Sequence, residues 1–115
     1  MKFKKPKKIS FEWEGLKGWV YNSKEDFKNA SATSFEVTVS HGRVKTTLSD
    51  RIYYVLGGRG EFIINGKVIP VEKTDVVIVP KNTPYNYRTV GGTLKLFLVH
   101  TPAYDGDYEV KLENG

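Results

Sequence analysis

The sequence predicts an all-β sandwich or barrel with almost no helix. Three observations carry that expectation. Short alternating or continuously apolar runs recur along the chain; glycine, proline and Asn-Gly signals separate them at close spacing; and one stretch alone has the make-up of a helical turn. About nine to eleven short strands are expected. A length of 115 residues suits one domain. We read residues 1–8 as a basic flexible tail and residues 9–115 as a single β-barrel domain.

Ile9 to Trp13 alternates apolar and polar and reads as a half-buried strand. Gly15 and Gly18 bracket a turn, after which Trp19-Val20-Tyr21 is again extended. The two tryptophans are either core residues or part of a partner surface. Ser23 to Ala30 is the one candidate helical turn, with Ser23 as its cap and Glu25 and Asp26 where the helix dipole favours acids. Phe35 to Val39 alternates, and Val44 to Leu48 does so more weakly. In Arg51 to Gly66, the run RIYYVLGGRGEFIING, two strands (Ile52 to Leu56 and Glu61 to Ile64) are expected to meet at a tight turn through Gly57, Gly58 and Gly60. Asn65-Gly66 is a second hairpin turn. Lys67 to Val71 carries Pro70, which suits an edge strand. The continuous apolar run Val76 to Val79 is expected to be covered on both sides, and Leu94 to Val99 is read as a further buried strand. Tyr85 to Arg88 alternates, Gly91-Gly92 is read as a turn, and Tyr108 to Leu112 is a last possible strand.

The net charge of +5 is accounted for by Lys2, Lys4, Lys5, Lys7 and Lys8. Basicity therefore belongs to a tail rather than to a domain face. Without an RNP motif, zinc finger or helix-turn-helix pattern, a nucleic-acid role is disfavoured. The chain has no cysteine, which excludes disulfides, thiolate metal sites and a cysteine nucleophile, and which fits a cytoplasmic location. No apolar run is long enough to span a membrane as a helix, and the N-terminus lacks the apolar core of a signal peptide.

The order of these pieces resembles the cupin superfamily. The carrying stretches are RIYYVLGGRGEFIINGK, the run Thr74-Asp75-Val76-Val77-Ile78-Val79-Pro80-Lys81-Asn82-Thr83-Pro84-Tyr85, and the ending Leu98-Val99-His100-Thr101-Pro102-Ala103-Tyr104-Asp105. The likeness extends from about Phe35 to Asp107. It implies a cupin-type double-stranded β-helix, the jelly-roll barrel. It also implies a homodimer formed by packing or exchanging edge strands. Metal-binding cupins present two histidines and a glutamate from the first motif and a histidine from the second. At the matching positions this chain has Val44, Thr46, Arg51 and Tyr85. The resemblance, so modified, implies no metal and no cofactor.

If the family's ligand positions face the cavity, Val44, Thr46, Arg51 and Tyr85 face it here, and period two adds Tyr53, Val55 and Tyr87. Thr46, Arg51, Tyr53, Tyr85 and Tyr87 are then candidate ligand-binding residues for a small anionic or carbohydrate-like molecule, with Arg51 as the fork for a carboxylate or phosphate. The competing reading is a packed barrel, with the phenols satisfied internally and Arg51 paired to Asp50, Glu61 or Asp75. His100 and Tyr85 are the candidate catalytic pair, by analogy with metal-free sugar isomerases and epimerases of this fold. His41, beside Gly42, is a weaker candidate. A third reading makes the barrel a scaffold for interactions of the basic tail.

Overall fold

The computed structural model describes residues 1–112. The last three residues of the expected domain, 113–115, lie outside the described residues. The strands are β1 (Phe11–Trp13), β2 (Leu16–Val20), β3 (Ser31–Val37), β4 (Val44–Thr46), β5 (Asp50–Ile64), β6 (Lys67–Glu72), β7 (Val76–Val79), β8 (Tyr85–Thr101) and β9 (Glu109–Lys111). A 3-10 turn, Gly106–Tyr108, precedes β9. All pairings among them are antiparallel.

Two long strands organise the barrel. The first half of β5 lies between β7 and the second half of β8, while its second half lies between β6 and the first half of β8. Each long strand thus passes from one layer to the other. One layer continues outward through β3, β2 and β1, and the other through β4 and β9. Alternation along the strands then fills the space between the layers with Phe35, Val37, Tyr53, Val55, Phe62 and Leu96.

The central run departs from the expected pair of strands. Gly57 to Gly60 makes no turn; β5 is continuous, and its register against β8 slips between Val55 and Gly57, Gly57 and Arg59, and Arg59 and Gly60. These are bulges that bend a strand. Gly58 has φ 77°, and a Cβ there would sit 2.2 Å from the Thr93 carbonyl oxygen, so this position requires glycine. Gly91-Gly92 likewise lies within β8, opposite the bend. The expected turn at Asn65-Gly66 is present, with φ 50° and 78°.

Three further expectations are corrected. Val76 and Ile78 are 59% and 60% exposed, so β7 is covered on one side only. Gly18 lies within β2, under the Phe11 ring. Ser23 to Ala30 forms no helix: Ser23 accepts from the amides of Asp26 (3.0 Å) and Phe27 (3.2 Å), and the chain then leaves the turn. Trp19 is buried, with Lys5 Nζ 4.2 Å above its ring, whereas Trp13 is exposed. Among the described residues no helix is long and apolar enough to cross a membrane.

Candidate functional site

The inward side of β5 carries Arg51, Tyr53 and Val55, which are 2%, 0% and 0% exposed. Across the barrel, β8 contributes Tyr85 and Tyr87, and β4 contributes Val44 and Thr46, all buried. The side chains proposed from the sequence therefore share one interior. Tyr53 and Tyr85 join their hydroxyls at 2.7 Å, and the Tyr53 ring stands edge-on to Tyr87 at 5.3 Å. Thr46 is buried, but its hydroxyl accepts from the Leu48 amide at 3.3 Å, a local turn contact.

Arg51 is held from two directions. One terminal nitrogen donates to the Tyr85 hydroxyl and the other to the Glu109 carboxylate. This corrects the expected partners. Asp50 accepts instead from the Lys81 amide at 2.9 Å, Asp75 from the Glu72 amide at 2.8 Å, and Glu61 from Arg88 at 2.7 and 2.9 Å. Sequence reasoning missed Glu109. It reaches the interior because β9 pairs with β4 and puts Glu109 opposite Thr46, and cross-strand partners share a face. Burial alone would lower the Arg51 pKa. Tyr85, Tyr53 and Glu109 outweigh it and hold the guanidinium above its usual range.

His100 is the cross-strand partner of Arg51 and is 4% exposed. Its ring contact is with Tyr104, edge-on at 5.2 Å, and Arg51 lies between it and the phenols in the chain of contacts. Burial, then the charges of Arg51 and His41, lower its pKa to about 3. His41 packs on Tyr87 at 4.9 Å and on Tyr85 at 6.1 Å. Its Nδ1 lies 2.9 Å from the Gly42 carbonyl, so the Nδ1–H tautomer donates there and leaves Nε2 as an acceptor. Burial lowers its pKa to about 4 against the opposing pull of that carbonyl. Both imidazoles are neutral at pH 7. Burial raises the pKa of Tyr53, Tyr85 and Tyr87, so all three are neutral donors.

Several of these groups lack a protein partner. Arg51 Nε, Tyr87 Oη and both ring nitrogens of His100 are buried without a hydrogen bond. The interior brings together a guanidinium, phenols, a threonine hydroxyl, the Glu109 carboxylate and the imidazoles of His41 and His100. Among the described residues no group of three or more His, Cys, Asp or Glu is placed to hold a metal ion. Among the described residues, two open clefts of about 550 and 410 Å³ are lined by residues other than the phenols. The first is bordered by Trp13, whose ring meets His41 edge-on at 5.6 Å.

Comparison with known proteins gives three findings. Residues 35–100 match the family described as Cupin domain. Among curated proteins, an uncharacterized protein of Methanocaldococcus jannaschii is 33% identical over 57 residues, 49% of this chain and 46% of that protein. The chain spans about half the length of the curated relatives it matches. Among solved structures, Pac13, described as a unique nucleoside dehydratase, superposes with a TM-score of 0.83 at 26% identity, over 97% of this chain and 92% of that one. A His-to-Gln variant of Streptomyces Pac13, solved with uridine, gives 0.84 at 25% identity over 98% and 92%. KdgF from Halomonas sp., at 14% identity and a TM-score of 0.77 over 87% and 90%, shares the fold.

Proposed function

This chain belongs to the cupin domain family, and from that premise we propose that it binds a small ring-bearing metabolite of carbohydrate or nucleoside type inside the barrel, without a metal. The observation that carries this reading is the set of unpartnered buried atoms: Arg51 Nε, Tyr87 Oη, and His100 Nδ1 and Nε2. Each such group costs about 1–3 kcal/mol when left unsatisfied, so a polyhydroxylated ligand that bonds to several of them stabilises the folded chain. The nucleoside option draws support from Pac13, alike over almost its whole length. The Pac13 variants solved with uridine alter histidine and tyrosine, residue types that meet in this barrel.

The test is a thermal-shift and calorimetric screen of uridine, ribose, sugar phosphates and nucleotide sugars, with elemental analysis of the purified protein. Binding that is lost in Tyr87→Phe and His100→Ala supports the reading. Stoichiometric Fe, Mn, Ni or Zn overturns its metal-free part, and a screen without hits favours the scaffold alternative.

A second reading, turnover, rests on the protonation states. Neutral His100 or His41 can accept a proton while a neutral phenol donates one, as an isomerase, epimerase or dehydratase step requires. Loss of turnover in His100→Ala with ligand binding retained would identify it.

The expected homodimer has an apolar face suited to a second copy. Ile52 and Tyr54 on β5 stand beside Ile78 and Val76 on β7, all exposed on the outer surface, with Leu56 next along the strand. Exposed Asp50 closes one end of the patch and exposed Lys95 the other, so two copies packed antiparallel bring opposite charges together.

A further inference from the structure

Among the described residues Glu109 is the acidic side chain bonded to the interior guanidinium, and its contact with Arg51 bears on which ligands the barrel accepts. We propose that Glu109 sets the charge selectivity of the barrel: by neutralising Arg51 it makes the site select neutral polar ligands and reject their phosphorylated or carboxylated counterparts. This rests on the barrel-binding reading above and refines it.

The pair is shielded from water. The Arg51 side chain is 3% exposed and that of Glu109 17%. Within such an interior, charge balance weighs far more than it does at a surface. A lone arginine would be a ready fork for a carboxylate or phosphate. Here that fork is taken: one terminal nitrogen is on Glu109 and the other on Tyr85. What remains without a partner in the interior is Arg51 Nε, Tyr87 Oη and the His100 nitrogens. Those are single donors and acceptors, matched to hydroxyls and carbonyls rather than to a dianion. An entering phosphate would meet a net-neutral ion pair and a carboxylate of its own sign.

Glu109 lies away from the strands that build the barrel. It sits on a three-residue strand at the end of the sheet, paired with β4 through Val44 to Lys111, Lys45 to Val110 and Thr46 to Glu109. A change there alters the interior charge without touching the long strands that form the barrel.

The experiment compares uridine with uridine 5′-monophosphate, probes that differ by one phosphate. Calorimetry is run on wild type, Glu109→Gln and the double variant Arg51→Met with Glu109→Gln. Wild type is expected to prefer uridine by at least about tenfold, and Glu109→Gln to shift the affinity ratio toward the monophosphate by at least about tenfold. In the double variant, with the free guanidinium gone, that shift disappears. Equal or tighter binding of the monophosphate by wild type overturns the inference even if Glu109→Gln does not fold. An unchanged ratio in a folded Glu109→Gln also overturns it while leaving the barrel reading intact. Failure of wild type to bind either probe overturns the inference, and the nucleoside form of the barrel reading with it.

Discussion

His100 presents an imidazole with neither nitrogen bonded, beside an arginine, in a water-poor interior. Its pKa of about 3, and that of His41 at about 4, lie below the ordinary histidine value near 6.5. The unfolded chain therefore takes up protons that the folded chain refuses. Stability is full above about pH 6.5 and falls as the pH drops through the window down to about 3. Thermal melts of wild type and His100→Met between pH 7 and pH 4 check this: the variant loses less stability on acidification, and identical slopes would remove His100 from the account. The Arg51–Glu109 pair gives a second prediction at this scale. Glu109→Ala strands a buried cation and costs about 3–5 kcal/mol, whereas Arg51→Met combined with Glu109→Leu costs far less or nothing, as read by chemical denaturation. Arg51, Tyr53, Tyr85 and Tyr87 were legible because period two and motif position agreed about their facing. Glu109 was not, since its partner lies 58 residues away and nothing local announces the β9–β4 pairing. His41 was visible only as a residue beside a glycine; the packing that sets it against Tyr85 and Tyr87 comes from the loop after β3.

Among the elements, β5 shows where glycine-rich sequence is ambiguous. Glycines between two β-branched runs suit a hairpin turn and a bulged bend equally well. What decides is the partner: β8 is long enough to accompany β5 through both layers, so the chain continues instead of reversing. Gly58 and Gly66 separate the two uses of glycine. Both have positive φ, 77° and 78°, but a Cβ at Gly58 meets the Thr93 carbonyl at 2.2 Å, while at Gly66 nothing lies within 4 Å. Gly66→Ala should cost about 1–3 kcal/mol from backbone strain alone. Gly58→Ala should cost clearly more, because backbone must also move. Equal midpoints in urea would mean that the bend tolerates a methyl group. The apolar run of β7 was misjudged for a related reason: sequence cannot tell a strand buried on both sides from one whose outer face is apolar but uncovered.

For the whole molecule, the cupin barrel was readable from strand count, turn spacing and motif order, because those reflect the global pattern rather than any one register. The outer face of β5 and β7 was not readable as a face, since its residues come from strands whose pairing only the fold reveals. An exposed patch holding Ile52, Tyr54, Leu56, Val76 and Ile78 is larger than a scatter of single apolar residues. Sedimentation is expected to give a particle of twice the monomer mass, and Ile78→Glu to halve it with the melting temperature little changed. A wild-type particle of monomer mass would remove the face from consideration as a dimer surface.

The Arg51–Glu109 contact also has a meaning in time. Arg51 lies on a strand whose neighbours β7 and β8 precede β9 in the chain, yet its counter-charge arrives with β9. A nascent chain completes both long strands before β9 is made, so they can pair before Glu109 is in place. Until then the barrel must either leave the arginine hydrated or bury it uncompensated. The last short strand thus seals the interior, and Glu109→Gln should speed unfolding while leaving the refolding rate little changed, as read by stopped-flow in denaturant.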